Sequence, residues 1–380
     1  MIKSSNISII LLIAFLIRLA LLLINNYVMY LPHGNGDALG FEHKAYLLSI
    51  SNYNIDYFEY LTRGSSFFPL LCSFVYLIFG RQPFVLGLFI VVLGVWCVKL
   101  VHKASLLLFN DVIVAKKAAW IAALFPQFCL NSALIFREIP INFFLLLSII
   151  AFIKYWKYSN KTSLFFFIIY GLFAIILHSG MFFIFFGLII FNLFKKKSDR
   201  RVKVSFAKKY VLPVIIVFAI VIIASNGIGL FKFGGSVEGV ADQFTQMQNR
   251  KTEGNSAYPQ WMLLNGGFSD MWKVPLRFTA FLFAPIFPFI VKSAGHLLGL
   301  FDAFIYLFFF YRMFKNRHFL KSNTTASAIL IISLTLSLVF SMGVSNVGTG
   351  IRHRAKIAPL FILLFIPIQR KVMKSKPYRF

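Results

Sequence analysis

Apolar runs long enough to cross a bilayer recur along the whole chain, separated by short polar segments. Such runs fold only as packed membrane helices, because lipid offers no partner for an unpaired backbone amide or carbonyl. The composition agrees, since 59% of the 380 residues are hydrophobic and 13% are charged, against about 25% charged residues in soluble domains. The sequence therefore predicts an all-α, polytopic transmembrane helical bundle.

The distribution of positive charge predicts the topology. The formal net charge is +27, and most basic residues lie in short segments between apolar runs, at residues 99–117, 154–161, 195–209, 312–321 and 370–379. Short basic loops of this kind are typical of the cytoplasmic side of a membrane protein. We therefore predict a cytoplasmic basic loop at 195–209 and no nucleic-acid partner.

On this topology we predict about ten spanning helices, with both termini in the cytoplasm, at residues 7–30, 83–104, 117–136, 139–156, 162–178, 180–194, 209–226, 294–314, 324–344 and 356–369. Two further apolar runs, 66–80 and 275–291, would reverse the sides of the basic loops if they crossed. We interpret them as re-entrant or interfacial helices at the outer face. Residues 1–380 then form a single integral membrane domain with outer loops 31–65 and 227–273.

Several kinds of site are not indicated. The longest polar stretch, residues 226–273, is too short for a separate catalytic domain. Cys72, Cys97 and Cys129 lie inside apolar runs without metal-ligand spacing. The sequence has no Asp-x-Asp pair, Walker A motif or His-Glu-x-x-His motif. We expect no cofactor and no metal.

The basic cluster Arg352, His353, Arg354 and Lys356 precedes the last apolar run. A cluster that merely directs topology would lie in the cytoplasm, whereas this one is predicted to lie outside. Two arginines can bind phosphate oxygens in bidentate fashion, and His353 can protonate or hydrogen-bond a leaving phosphate. The cluster predicts a site for a phosphorylated lipid headgroup.

Two acidic residues are candidates for catalysis. Asp37 lies on a Gly-rich bend just beyond the first span, where its carboxylate can act as a general base or cap the following helix. Arg137 and Glu138 lie at the outer end of a helix that contains Pro126, which favours a break between two helices. This pair either binds ligands or lies at the lipid interface as a simple ion pair.

Two weaker signals complete the candidates. Arg250, Glu253 and Tyr258 mix polar and aromatic groups in the outer loop, as suits a carbohydrate surface, and equally a loop resting on lipid headgroups. Arg18 lies in the middle of the first span, where a charge is costly and is usually paired. Its partner is expected to be either a residue such as Asp302 or a ligand.

Taken in order, these motifs resemble the GT-C class of integral membrane glycosyltransferases. The resemblance rests on the outer-loop acid Asp37, on Leu-Phe-Pro126 leading to Arg137-Glu138, and on Arg-His-Arg-x-Lys-x-x-Pro at residues 352–359. More narrowly, the chain is similar to O-antigen repeat-unit polymerases of bacterial surface-polysaccharide clusters. Two departures are that Asp37 has no acidic neighbour and that the loops carry no extended soluble module.

The resemblance implies transfer from an undecaprenyl-phosphate- or undecaprenyl-pyrophosphate-linked saccharide at the outer face of the bacterial inner membrane. It implies Asp37 and Glu138 as the loop acids and Arg352 and Arg354 as donor-phosphate contacts. With the cluster's other members, we predict the following site: catalytic Asp37, Glu138 and His353, phosphate-binding Arg137, Arg352, Arg354 and Lys356, and substrate-binding Arg250, Glu253 and Tyr258.

We expect the chain to polymerise surface-polysaccharide repeat units, with membrane lipid and a chain-length regulator protein as candidate partners. A monosaccharide transferase that uses undecaprenyl-phosphate-sugar fits nearly as well. A flippase for lipid-linked oligosaccharide is the alternative from another class. Transporters commonly show two similar halves with charges near the midplane, whereas this chain shows no internal repeat and its candidate residues are predicted at one face.

Overall fold

The computed structural model describes residues 7–51, 66–194, 257–264, 268–286 and 294–365, and in these ranges the chain is helical without a named strand. The all-α prediction is confirmed. The α-helices are α1 Ser8–Tyr27, α2 Leu39–Ile50, α3 Phe67–Phe79, α4 Pro83–Phe109, α5 Val112–Leu124, α6 Pro126–Ser132, α7 Glu138–Tyr158, α8 Lys161–Leu177, α9 Phe183–Phe194, α10 Lys273–Phe283, α11 Ala294–Lys315, α12 Arg317–Ser322, α13 Thr324–Gly343, α14 Val347–Ala355 and α15 Ala358–Leu363.

The long apolar helices confirm a polytopic membrane protein. In the described ranges α1, α4, α7, α11 and α13 are long and apolar enough to cross a membrane, and the bent pair α5–α6 makes a sixth. The predicted count of ten is not confirmed, because α8 and α9 have only 17 and 12 residues. The predicted span 356–369 is helical over Ala358–Leu363. The predicted span 209–226 and the basic loop 195–209 lie outside the described residues, as do parts of both outer loops.

The two ends of the bundle are defined by contacts between helix ends. The rings of Tyr27, at the end of α1, and Phe84, at the start of α4, lie 5.9 Å apart. We call this end the upper face. At the lower face, the Nζ atom of Lys157 near the end of α7 donates to the carbonyl of Leu108 near the end of α4, at 3.0 Å. The ring of Phe319 on α12, which directly follows α11, lies 6.0 Å from the ring of Phe109, the last residue of α4. The basic ends of α7 and α11 therefore gather at the lower face.

Helices α2 and α3 form a hairpin that begins and ends at the upper face. Near the start of α2, Glu42 accepts hydrogen bonds from Tyr76 Oη at 2.9 Å and from Arg81 Nε at 3.0 Å, both near the end of α3. Helix α3 has only 13 residues. This placement agrees with the prediction that residues 66–80 do not change sides.

The predicted break at Pro126 is confirmed, since α5 and α6 meet there at 61°. Proline has no N–H, so the carbonyl of Ala122 loses its helical donor. Arg18 replaces that donor, with Nη2 3.2 Å from the Ala122 oxygen and Nη1 3.0 Å from the oxygen of Ala123. The buried charge in α1 is therefore explained by the carbonyls that the break leaves unpaired.

Asp302 accepts a hydrogen bond from the backbone on the other side of the same break. Its Oδ1 atom lies 3.4 Å from the backbone nitrogen of Gln127, the first free amide of α6. Asp302, one of the two kinds of partner expected for Arg18, therefore serves the Gln127 amide, while Arg18 itself donates to backbone carbonyls. The reason is that a broken helix exposes acceptors on one side and donors on the other, and each side needs a buried group of its own.

Two more buried arginines cap helix ends near the upper face. Arg277 on α10 donates to the carbonyls of Ser341 and Met342 at the end of α13, both at 3.1 Å. Arg354 on α14 donates to the carbonyl of Leu282, near the end of α10, at 2.6 Å, and to that of Gly299 on α11 at 2.9 Å. These bonds hold α10, α11 and α13 together beneath α14.

Candidate functional site

Helix α14 carries the basic cluster and begins at a side-chain cap. The Oδ1 atom of Asn346 accepts from the backbone nitrogens of Gly348 at 2.8 Å and Thr349 at 3.3 Å. Successive residues of a helix point about 100° apart, whereas residues four apart share a side. Arg352 and Lys356 therefore face the same way, while Arg354 points to the opposite side.

Arg352 and Lys356 converge on Glu138, the first residue of α7. The Glu138 Oε1 atom lies 3.1 Å from Arg352 Nε and 3.6 Å from Lys356 Nζ. The Glu138 side chain is only 1% exposed, and a carboxylate at such a position needs cationic partners. The amino-terminal end of α7 adds a favourable dipole. Sequence order alone does not reveal this pair, because Glu138 and Arg352 are 214 positions apart.

Arg352 also forms an ion pair with Asp37, through its Nη1 atom and the Oδ2 atom of the carboxylate. Asp37 belongs to a helical turn, Gly34–Ala38, that leads into α2. Its side chain caps neither this turn nor α2, so the N-cap interpretation is wrong. The Asp37 side chain is 61% exposed, which leaves it accessible to a ligand.

The charges around Asp37 keep it ionised. Burial alone would raise the pKa of the Asp37 carboxyl, but the charge and hydrogen bond of Arg352, with smaller contributions from Arg137 and His33, lower the pKa below its ordinary value. Asp37 is thus a carboxylate at neutral pH.

Arg137 lies beside the same group. Its Nη1 atom is 3.3 Å from the carbonyl oxygen of Leu177, at the end of α8, and its guanidinium carbon lies 5.8 Å from the centre of the Phe41 ring. The cation is therefore packed between two helices. It does not extend outward as the interfacial interpretation required.

Histidines surround these charges. The His353 ring lies 5.2 Å from the His178 ring and perpendicular to it. His33 has a left-handed backbone with a φ of 70°, and burial, followed by the charge of Arg352, lowers its pKa. Sequence reasoning missed His33 and His178. The available signal was weak, being a single histidine in a Gly-rich bend and another at the end of an apolar run.

The remaining predicted residues lie elsewhere. Arg354 is buried and donates to backbone carbonyls below α14. Tyr258 is also buried, with its backbone nitrogen 2.8 Å from the Ser345 oxygen and its ring 5.6 Å from the Arg277 guanidinium carbon. Arg250 and Glu253 lie outside the described residues. In the described ranges no group of three or more His, Cys, Asp or Glu residues is arranged to hold a metal.

The assembled group can exchange one anion for another. Arg137, Arg352 and Lys356 supply three cations, and Asp37 and Glu138 supply two carboxylates. Glu138 is enclosed, whereas Asp37 is open to the outside of the bundle. An incoming anion therefore competes with Asp37 for Arg352 more readily than with Glu138.

Fold and site together define a polytopic membrane protein with a charged site at one end of its bundle. No protein-family model and no curated protein sequence matches the chain. The structure is similar to the archaeal oligosaccharyltransferase AglB from Archaeoglobus fulgidus, solved in complex with an inhibitory peptide and a dolichol-phosphate.

The TM-score of this match is 0.51 and the sequence identity is 17%. The match covers 95% of this chain and 50% of the oligosaccharyltransferase chain, so the chain spans about half the length of its neighbour. At this identity the likeness establishes a shared fold over the matched residues.

Proposed function

We propose that this chain is a membrane glycosyltransferase of the GT-C class, using a sugar donor joined to a lipid phosphate. The observation that carries the proposal is the bridge made by Arg352 between Asp37 and the buried Glu138. It joins a cation suited to phosphate and an accessible carboxylate suited to proton transfer in one place. The fold shared with an oligosaccharyltransferase that was solved with dolichol-phosphate supports this choice.

The proposed roles follow from the contacts. Arg352, Lys356 and Arg137 bind the donor phosphate and stabilise the charge that develops as it leaves. A phosphate oxygen takes the place of Asp37 on Arg352. Asp37 then accepts the proton of the acceptor hydroxyl. The oxygen of that hydroxyl bonds to the anomeric carbon of the donor sugar as the bond between this carbon and the phosphate oxygen breaks.

Glu138 and His353 act on the same phosphate site. Glu138 stays buried against Arg352 and Lys356 and keeps both cations oriented. His353 hydrogen-bonds the leaving phosphate. Arg354 is left out of the phosphate site because its guanidinium already donates to backbone carbonyls. Arg250, Glu253 and Tyr258 remain predictions for acceptor binding.

The more specific proposal is polymerisation of O-antigen or related repeat units from undecaprenyl pyrophosphate. It places the upper face on the outer side of a bacterial inner membrane, with both termini in the cytoplasm. A chain-length regulator protein is then the expected partner. Support comes from the sequence resemblance and from the basic residues gathered at the lower face.

A transferase for a single sugar is the second candidate, and the charge of the site favours it. Among the described residues of the group, three cations (Arg137, Arg352 and Lys356, the last held by the buried Glu138 carboxylate) face two carboxylates (Asp37 and Glu138), which leaves one net positive charge. A sugar linked through one phosphate carries one negative charge, whereas a pyrophosphate linkage carries two. The site charge therefore matches a lipid monophosphate donor.

Release of the carrier tests the proposed chemistry. Purified protein given an undecaprenyl-linked saccharide is expected to release the free carrier, as undecaprenyl pyrophosphate for a polymerase or as undecaprenyl phosphate for a single-sugar transferase. Arg352→Ala is expected to abolish that release. Arg317→Ala, at the exposed lower end of the bundle, is the matched control and should retain it. Movement of the lipid-linked units across vesicles without release would instead favour a flippase.

A deletion strain separates the two transferases. Loss of a polymerase should leave a single-repeat band on a lipopolysaccharide gel. Loss of a single-sugar transferase should keep the ladder and alter only the decoration of its bands. An unchanged ladder would contradict polymerisation.

A further inference from the structure

His178 lies at the phosphate site without a role in the mechanism above. It follows the last residue of α8, Leu177, with an extended backbone at φ −158° and ψ 110°. Its Nδ1 atom accepts a hydrogen bond from the backbone nitrogen of Gly180 at 3.2 Å. A neutral imidazole whose Nδ1 accepts carries its proton on Nε2. The ring therefore presents one hydrogen-bond donor on the side away from its own backbone.

The surroundings of His178 belong to the charged group. Arg137 donates to the carbonyl of Leu177, one residue earlier, at 3.3 Å. The His178 ring lies 5.2 Å from the His353 ring and 5.3 Å from the Phe340 ring, perpendicular to both. These two rings and the Gly180 bond set its orientation.

The ring is neutral at physiological pH. Burial, followed by the charges of Lys356, Arg137 and Arg352, lowers the pKa of His178 well below its ordinary value. A fourth cation at this position would repel the other three. A neutral N–H adds a donor without adding charge.

We propose that His178 binds the donor phosphate through its Nε2–H group, beside Arg137 and Arg352. This inference rests on the proposed function, because it needs a phosphate at the cluster. It adds a neutral contact from the end of α8 to the cations of α14. The three groups then contact the phosphate from different helices, so they fix its orientation in addition to balancing its charge.

Two substitutions separate phosphate binding from the structural bond to Gly180. His178→Asn keeps an acceptor near the position of Nδ1 and removes the donor at Nε2. His178→Gln places an amide donor near the position of Nε2 and removes the acceptor close to the backbone. A purely structural role predicts that Asn is the better replacement, and phosphate binding predicts that Gln is.

The experiment measures binding of undecaprenyl phosphate to the purified full-length protein, together with unfolding temperature in the absence of lipid. His178→Asn is expected to weaken binding by about 10- to 100-fold, the effect of losing a hydrogen bond to a charged group, at an unchanged unfolding temperature. His178→Gln is expected to bind nearly as wild type. Binding by His178→Asn equal to that of wild type overturns the inference, as does an equal loss in both variants that follows their loss of stability.

Arg352→Ala in the same assay keeps the two proposals distinct. In one outcome, wild type and His178→Asn bind undecaprenyl phosphate equally well and Arg352→Ala does not bind it. The role of His178 is then wrong, and the proposed function stands. If wild type binds neither undecaprenyl phosphate nor undecaprenyl pyrophosphate, or Arg352→Ala binds them equally well, both proposals fall.

Discussion

Arg352 contacts two carboxylates, and the free energy needed to break the ion pair differs between them. Glu138 is enclosed, and removing one partner of a buried ion pair costs about 3–5 kcal/mol because it leaves an uncompensated charge. Asp37 is largely exposed, and an exposed pair contributes only about 0–1 kcal/mol. Exchange of anions at this arginine is therefore expected on the Asp37 side, which is also the side open to a substrate.

Asp37→Asn is predicted to lower the transfer rate by at least about 100-fold, since a positioned general base contributes roughly 10²–10⁴-fold. The unfolding temperature should change little, because Asp37 is largely exposed and Arg352 keeps its ion pair with Glu138. Asp111→Asn is the matched control, since Asp111 caps α5 at the lower face through the backbone nitrogens of Ile113 and Val114, and Asn caps equally well. Similar rates for both variants would remove Asp37 from the reaction.

The pH dependence of kcat/KM tests the same assignment, because that ratio reports the ionisation of the free enzyme. The pKa of Asp37 lies below its ordinary value of 3.8, so the base stays ionised as the pH falls from 7 to 5. We expect no acid-side loss of kcat/KM in this interval. A loss with a midpoint between pH 5 and 7 would instead identify a histidine such as His33 as the base.

At the scale of the helices, buried arginines stabilise the ends that prolines and short spans create. Arg18, Arg277 and Arg354 each donate to carbonyls at the end of another helix. A guanidinium suits this role because it carries five donors in a planar fork and favours the negative end of a helix dipole. Pro126 predicts where the first break falls. The residue that satisfies it is 105 positions away from Ala123, and only packing reveals that it is Arg18.

Arg18→Met is predicted to destabilise the protein by about 2–6 kcal/mol, because two buried carbonyls lose a charged donor at about 1–3 kcal/mol each. Pro126→Ala restores an N–H that can bond to the Ala122 carbonyl. The double variant should therefore lose less stability than the two single variants together. Denaturation in detergent measures all four proteins. If the double variant lost as much stability as the sum of the two single variants, Arg18 would not stabilise the carbonyls at this break.

At the scale of the whole molecule, the bundle separates its charges between two ends. The lower face carries Lys157, Arg312 and Lys315 at the ends of α7 and α11. The upper face carries the ion-paired group around Arg352. This separation is what the positive-inside rule predicts when the lower face is cytoplasmic, and the proposed chemistry then takes place on the other side of the membrane.

Cysteine labelling in intact cells tests that orientation. Asn35 at the upper face and Lys315 at the lower face are both exposed, whereas the native Cys72, Cys97 and Cys129 are buried and should give little background. Asn35→Cys is expected to react with a membrane-impermeant maleimide in intact cells, and Lys315→Cys only after permeabilisation. The reverse pattern would place the site in the cytoplasm and contradict transfer at the outer face.

Hydropathy and charge are local properties of the chain, and they were enough to establish the membrane class, the all-helical fold and the importance of Asp37, Glu138 and Arg352 as candidates. The grouping of these residues is not local. Neighbours on α14 diverge by about 100° per residue, so Arg354 turns to the backbone while Lys356 joins Arg352 at Glu138. Packing of distant helices brings His178 to the same place, because buried contacts depend on which helix faces meet.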